Sequence, residues 1–204
     1  MKIKLTKDLI ISDNSLPLII AEISANHNGS KKRFLNHIIK AEKAGADLIK
    51  IQTYDENDIA FDLSNLKKVN LKNHYEVYKK SKTKYEWHKE AFKLAKSIKI
   101  PIFSSPFSLK AVDFLEKLNC PIYKIASLEI TDHSLIYQIA KTNKPIIMSC
   151  GSANISEINN AVSIINKFHN KLIILYCRSS YPLKPNDSNL SSITYLKKKF
   201  NKNI

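Results

Sequence analysis

The chain has 204 residues, 44% of them hydrophobic and 25% charged, enough to bury a sizeable core in the manner of an ordinary soluble protein. No apolar run approaches the roughly 18 residues needed to cross a bilayer, and the N-terminal MKIKLTKDLIISDNS carries charges where a signal peptide needs an apolar stretch. A net charge of +15 raises nucleic acid as a partner, but every basic residue except Arg33 and Arg178 is a lysine, and the lysines fall at polar helix positions, which describes a solvated surface.

Cys120, Cys150 and Cys177 lie far apart, each in or beside an apolar run, and read as small buried residues in a reducing compartment. The expectation is a cytoplasmic protein with neither a nucleic-acid nor a membrane partner.

The run Leu18–Ser24 predicts a first strand buried on both faces, with Glu22 inside it. A carboxylate there costs several kcal/mol, on the order of a lost ion pair, unless something pairs with it. Asn26, His27 and Asn28 form a polar tip, and Ser30 caps a helix over Ser30–Ala44. Gly45 ends that helix before a second strand, Asp47–Thr53.

Strand alternation puts Lys50 and Gln52 on one face, with Ile49 and Ile51 turned towards the helices. The polar connection Tyr54–Lys84 is longer than usual for a βα unit and reads as a lid or insertion. The following pairs are helix Tyr85–Ile98 and strand Pro101–Ser105, helix Leu109–Leu118 and strand Pro121–Ser127, helix Asp132–Thr142 and strand Pro145–Ser149. A helix over Ile155–Phe168, strand Leu172–Cys177 and a last helix over Leu190–Phe200 complete the alternation.

Six short apolar strands alternating with helices imply a parallel sheet, either open and doubly wound or a (β/α)8 barrel. The phosphate-loop glycines of the open sheet are missing, for the chain has only three Gly. All six strands end in polar residues: Glu22 and Ser24, Lys50 and Gln52, Ser104 and Ser105, Lys124 and Ser127, Ser149, then Ser179, Ser180 and Tyr181. The fold class expected is therefore an α/β barrel of the (β/α)8 TIM type, incomplete, with about six βα units present.

Two lysines and a set of hydroxyls suit a substrate carrying phosphate and carboxylate. Glu22 and Gln52 suit a polyol or amide, and Glu22 suits acid/base work if its pKa is raised. The plainer readings are a paired structural glutamate, serines that cap the next helix, and lysines held in ion pairs.

AEISANHNGS, ADLIKIQTY, YEWHKEAFKLAK, IFSSPFS, YKIAS and the SCG after PIIM together resemble the sialic acid synthase family. SANH and HYEVYKKSKTKYEWH are most similar to its pseudaminic acid branch, and the likeness runs from about residue 17 to the end. The resemblance implies condensation of phosphoenolpyruvate with an N-acetylated amino sugar, giving a nonulosonic acid and phosphate. It implies a divalent metal, manganese or magnesium, and a homodimer.

By the same resemblance Lys50 and Lys124 hold phosphoenolpyruvate at one anion site, completed by Ser105, Ser127, Ser149 and Ser179. Glu22, Gln52 and Tyr181 face the sugar, with Glu22 the candidate acid/base. Some members carry Asn at the position of Ser179, and Arg178 replaces a small residue.

The family's metal-binding histidines belong to motifs on the seventh and eighth strands that have no counterpart here, so no metal ligand is assigned; His27, His88 and His133 stand in other contexts. The expectation is a partial barrel over residues 1–204 without the family's antifreeze-like domain. Such a chain is a synthase completed by another polypeptide, an inactive remnant that still binds, or, from Lys124 alone, a Schiff-base aldolase.

Overall fold

The computed structural model describes residues 2–62, 74–180 and 182–200. The chain divides into two compact units, residues 18–120 and residues 1–17 with 121–204.

In the unit 18–120, three parallel strands, β3 (Ile20–Glu22), β4 (Leu48–Thr53) and β5 (Ile102–Pro106), pair in that order. Helices α1 (Lys31–Lys43) and α4 (Tyr85–Ser97) cover one face. Their apolar stripes, Phe34 and Ile38 from α1 with Trp87, Ala91 and Ala95 from α4, close over Ile49, Ile51 and Ile102. Ile49 and Ile51 thus face the helices, which turns Lys50 and Gln52 the other way. Ser30 caps α1 by accepting the Arg33 N–H, as its position implies.

The first strand departs from expectation. Only Ile20–Glu22 pair as strand, and Ile19 is 63% exposed, so the run is not buried on both faces. The connection after β4 is not without structure either. It holds α2 (Glu56–Ile59), closed by an Asp55–Asp58 capping box, and α3 (His74–Ser81), anchored by Lys82 pairing with both Asp55 and Glu56.

In the other unit, β6 (Tyr123–Ile125), β7 (Ile146–Ser149) and β8 (Leu172–Leu175) are parallel and pair in that order. The helices α5 (Leu109–Lys117, in the first unit), α6 (His133–Lys141), α7 (Ile155–Asn166) and α8 (Ser191–Phe200) follow their strands in sequence. Asp132 caps α6 through the Leu135 N–H, and Asn154 with Glu157 forms a capping box on α7.

Pro101 and Pro145 stand just before their strands, not in them, and lend carbonyls to Ile49 N–H and Tyr123 N–H. Unforeseen in the sequence is an antiparallel hairpin, β1 (Lys2–Lys4) with β2 (Ile10–Ser12), which buries Ile3. Lys197 of α8 pairs with Asp13 just beyond it, at 3.0 Å.

Two histidines are internal joints. His27 Nδ1 accepts the Gly29 N–H and its Nε2 reaches Thr83 Oγ1 at 3.2 Å, with the ring edge-on to Phe34 and Trp87. His88 donates from Nδ1 to Lys84 O at 3.0 Å and accepts from Thr53 Oγ1 at 2.8 Å. Both rings are neutral: burial lowers the His27 pKa and pushes His88 down to about 4.

The unfolded chain therefore binds more protons than the folded one below the ordinary histidine value of 6.5. Stability is full above that value and declines as pH falls towards about 4. Denaturation of the 204-residue chain should show a loss of about 2 kcal/mol between pH 7.5 and 5 from His88, and the variant His88→Gln should flatten the slope. A free energy independent of pH across that interval in the unsubstituted chain would contradict the neutral, buried assignment.

Candidate functional site

Polar residues at the strand ends gather into one cluster in each unit. In the unit 18–120 the pairing register sets Glu22 of β3 beside Lys50 of β4 and Gln52 beside Ser105 of β5. The Lys50 ammonium pairs with Glu22 Oε2, while Glu22 Oε1 accepts the Ser24 N–H at 2.9 Å. Ser24 takes a left-handed φ of 47° that aims its N–H back at the carboxylate. The Glu22 side chain remains 37% exposed, so the partner that a buried glutamate requires exists and the carboxylate also meets solvent. Glu22 and Asn26 line a cavity of about 310 Å³ with His37 and Lys40.

The serines Ser104 and Ser105 have opposite fates because strand side chains alternate. Ser104 points towards α4, where it bonds Thr53 Oγ1 at 2.6 Å and Ile51 O at 3.1 Å, behind Thr53 and His88. Ser105 shares the face of Gln52; it is 1% exposed and its Oγ has no hydrogen-bond partner among the described residues. A buried hydroxyl without a partner costs about 1–3 kcal/mol, which a ligand acceptor or donor would offset.

In the second unit Lys124 stands in the middle of β6, buried. Its Nζ donates to Ile125 O at 2.9 Å and to Ser149 Oγ at 2.6 Å, both neutral oxygens. A third N–H remains on the ammonium, and Lys124 makes no ion pair among the described residues. Burial, opposed by the nearby Cys177, Glu129 and Cys150, draws its pKa from 10.5 to about 8. The group is still mainly cationic at neutral pH. Ser149, having accepted from Lys124, keeps its own O–H to donate to an anion.

Glu129, in the 3-10 turn Leu128–Thr131 after β6, is held above the usual carboxylate range by burial, and its Oε2 lacks a partner among the described residues.

Ser127 accepts the Gly151 N–H at 3.2 Å and lies 3.2 Å from Cys177 Sγ, so its hydroxyl is already engaged. Ser179 is exposed and bonded to Ser152 Oγ at 2.9 Å. Tyr181 lies outside the described residues. No disulfide joins the cysteines among the described residues; Cys120 and Cys150 are buried as expected, whereas Cys177 is only partly so. Burial also pushes the Cys150 thiol up to about 11.

The sequence reading assigns no role to Glu129, places Gly151 only within the SCG motif, and takes Cys177 only as a small buried residue. The spacing of Glu129, two residues after Ser127 at a strand end, was the one available signal.

The described residues do not offer a ligand set for a divalent metal. Among the described residues no three His, Cys, Asp or Glu side chains could hold an ion together. His27 and His88 are spent on internal hydrogen bonds, and His133 is an exposed residue at the start of α6.

The model of the NeuB family matches residues 37–204. Pseudaminic acid synthase of Helicobacter pylori is 41% identical over 187 residues, covering 88% of this chain and 55% of that protein. An N,N'-diacetyllegionaminic acid synthase of Campylobacter jejuni is 34% identical over 192 residues, covering 90% of this chain and 58% of that protein.

Among solved structures, the N-acetylneuraminic acid (sialic acid) synthetase of Leptospira borgpetersenii, in complex with citrate, superposes with a TM-score of 0.86 at 30% identity. That alignment covers 98% of this chain and 67% of the synthetase. The chain spans about half the length of the curated relatives it matches. It belongs to the NeuB family, and its fold is the family's TIM-barrel type, represented here by six parallel strands with their helices.

The two neighbouring serines should separate in stability. Ser104→Ala should cost about 1–2 kcal/mol by opening the Thr53–His88 chain, whereas Ser105→Ala should be neutral or stabilise by up to about 1 kcal/mol. Urea denaturation of both variants reads this directly, and an equal loss in both would contradict the assignment of Ser105 as the unpaired hydroxyl.

Proposed function

We propose that this member of the NeuB family takes part in the condensation of phosphoenolpyruvate with an N-acylated amino sugar, releasing phosphate and forming a nonulosonic acid of the pseudaminic type. The greater identity to the pseudaminic acid synthase than to the legionaminic acid synthase supports that branch. The observation that carries the reading is Lys124, a buried ammonium with one N–H to spare and, among the described residues, no carboxylate paired to it. A charge in that setting is completed by a ligand anion, and a charge-assisted bond there is about twice as strong as a neutral one.

In this reading Lys124 and Ser149 bind the carboxylate or phosphate of phosphoenolpyruvate, and Lys50 is assigned to the same substrate by its motif alone. Ser105 and Gln52 supply neutral hydrogen bonds; Ser127 and Ser179 adjoin the Lys124 cluster. Attack of phosphoenolpyruvate C3 on the sugar aldehyde makes the new C–C bond and leaves an electron-poor C2, to which water adds before phosphate departs, and an alkoxide that needs a proton. Glu22 is the candidate donor, with Lys50 regulating its charge; Tyr181 is assigned to the sugar by its motif. The resemblance implies a divalent metal that would polarise the aldehyde, and the described residues of this chain do not furnish its ligands. We place the reaction in the cytoplasm, where phosphoenolpyruvate is found.

The lowered pKa of Lys124 also favours a second reading, a Schiff-base aldolase, since a lysine near pH 8 is a competent nucleophile. Against it, the Lys124 nitrogen is held as a donor to two oxygens, the posture of a cation binding an anion.

Calorimetry with phosphoenolpyruvate tests the proposal. Lys50→Met and Lys124→Met should each weaken binding by about 1.5–3 kcal/mol. Lys124→Met should also raise folding stability at pH 7, because the buried charge is gone. Unchanged affinity in both variants would reject the anion site, and a borohydride-trapped pyruvate adduct on Lys124 would turn the assignment to the aldolase.

A further inference from the structure

The loops after β6, β7 and β8 meet at Gly151, and they meet because residue 151 has no side chain. A Cβ built there would lie 2.8 Å from both Cys177 O and Cys177 Sγ and 3.0 Å from Ser179 Oγ. Its backbone is not in the left-handed region, so space rather than conformation demands glycine. In that space the Gly151 N–H reaches Ser127 Oγ at 3.2 Å, and Ser127 Oγ stands 3.2 Å from Cys177 Sγ. One residue further on, Ser152 Oγ and Ser179 Oγ are 2.9 Å apart. Two residues before Gly151, Ser149 holds the Lys124 ammonium.

We propose that Gly151 and Cys177 are positioning residues for the Lys124 anion site, with the Cys177 thiol serving as the displaceable partner of the Ser127 hydroxyl. With the Gly151 N–H occupying one lone pair of Ser127, its O–H proton has two outlets: the sulfur, or an anion arriving at Lys124. Sulfur is a weak acceptor, so the proton is held in place yet surrendered at little cost. A charged oxygen from the ligand is the stronger acceptor and takes it. Ser127 thereby changes from a structural hydroxyl to a ligand-binding one without moving its oxygen. Gly151 sets the distance at which this exchange works, because a methyl group there would push the β8 loop, with Cys177 and Ser179, away from Ser127.

This inference rests on the assignment of phosphoenolpyruvate to Lys124, and the experiment separates the two. Phosphoenolpyruvate affinity is measured by calorimetry on the 204-residue chain and on Gly151→Ala, Cys177→Ala and Cys177→Ser. Gly151→Ala and Cys177→Ala should each raise Kd about tenfold, whereas Cys177→Ser, which restores an acceptor of similar size, should stay within about threefold.

As a check that does not depend on the variants folding, the unsubstituted chain is treated with methyl methanethiosulfonate. The Cys177 thiolate displaces methanesulfinate and gains a methylthio group, which dithiothreitol removes. Phosphoenolpyruvate should slow that modification at Cys177, and the modified chain should bind it at least about tenfold more weakly. A merely structural cysteine would show no protection by ligand. No binding by the unsubstituted chain overturns the function proposed for Lys124. Normal binding by that chain together with normal binding by Cys177→Ala, or by the methylthio form, overturns the positioning role alone.

Discussion

A lysine ammonium buried in the short strand β6 with neutral oxygens for company is the constraint around which the second unit is arranged. The displacement of its pKa from 10.5 to about 8 corresponds to roughly 3 kcal/mol against the charged form. That is a sizeable fraction of a domain's net stability of about 5–15 kcal/mol. Nothing in the packing of β6 between Ile122, Tyr123 and Ile125 requires a lysine, since a methionine would fill the same space without the penalty. The fold tolerates Lys124 by bonding it to Ile125 O and Ser149 Oγ, with Glu129 near enough to favour the charge but, among the described residues, no carboxylate in an ion pair with it. Such a residue destabilises the free protein and favours whatever anion can reach it.

Lys50 in the other unit follows the opposite design. It sits in the middle of an equally apolar strand, but the β3–β4 register delivers Glu22 alongside, and the two charges neutralise one another. A ligand there meets an ion pair, which can exchange a proton or turn to new partners. The Lys124 ammonium offers simple attraction. The hydroxyls divide in a similar way: Ser104 and Thr53 are used up in holding His88, while Ser105, one residue on, is left without a partner. In the unit 18–120 the polar strand side chains turned towards α4 are satisfied internally, and the unspent hydroxyl of Ser105 lies on the opposite face.

Much of this was legible in the residues. Apolar runs with β-branched residues marked β4 to β8, the helical stripes marked α1, α4, α6 and α7, and alternation along DLIKIQT was enough to turn Lys50 away from the helices. The features that were missed depend on partners distant in sequence or on single atoms. KIK and IIS are too short and too mixed to announce a hairpin, and only their mutual pairing makes them strands. HYEVYKKS has no strong apolar stripe, and α3 is held by Lys82 reaching back to Asp55 and Glu56. Glu22 read as buried because LIIAEI is apolar, yet exposure depends on neighbours, and Ile19 and Glu22 have few. The need for glycine at 151 is a matter of a 2.8 Å gap to Cys177, which no periodicity encodes.

The central claim, that Lys124 is a buried cation awaiting an anion, is tested most directly by titrating that one side chain. Nuclear magnetic resonance of the chain carrying 13C at lysine Cε, with Lys124 assigned by substitution, gives its pKa with and without phosphoenolpyruvate. The account predicts a value near 8 in the free protein and an upward shift of at least about one unit when the ligand binds, since an adjacent anion favours the charged form. A free-protein value at the ordinary 10.5, or one that phosphoenolpyruvate leaves unmoved at saturation, would contradict it.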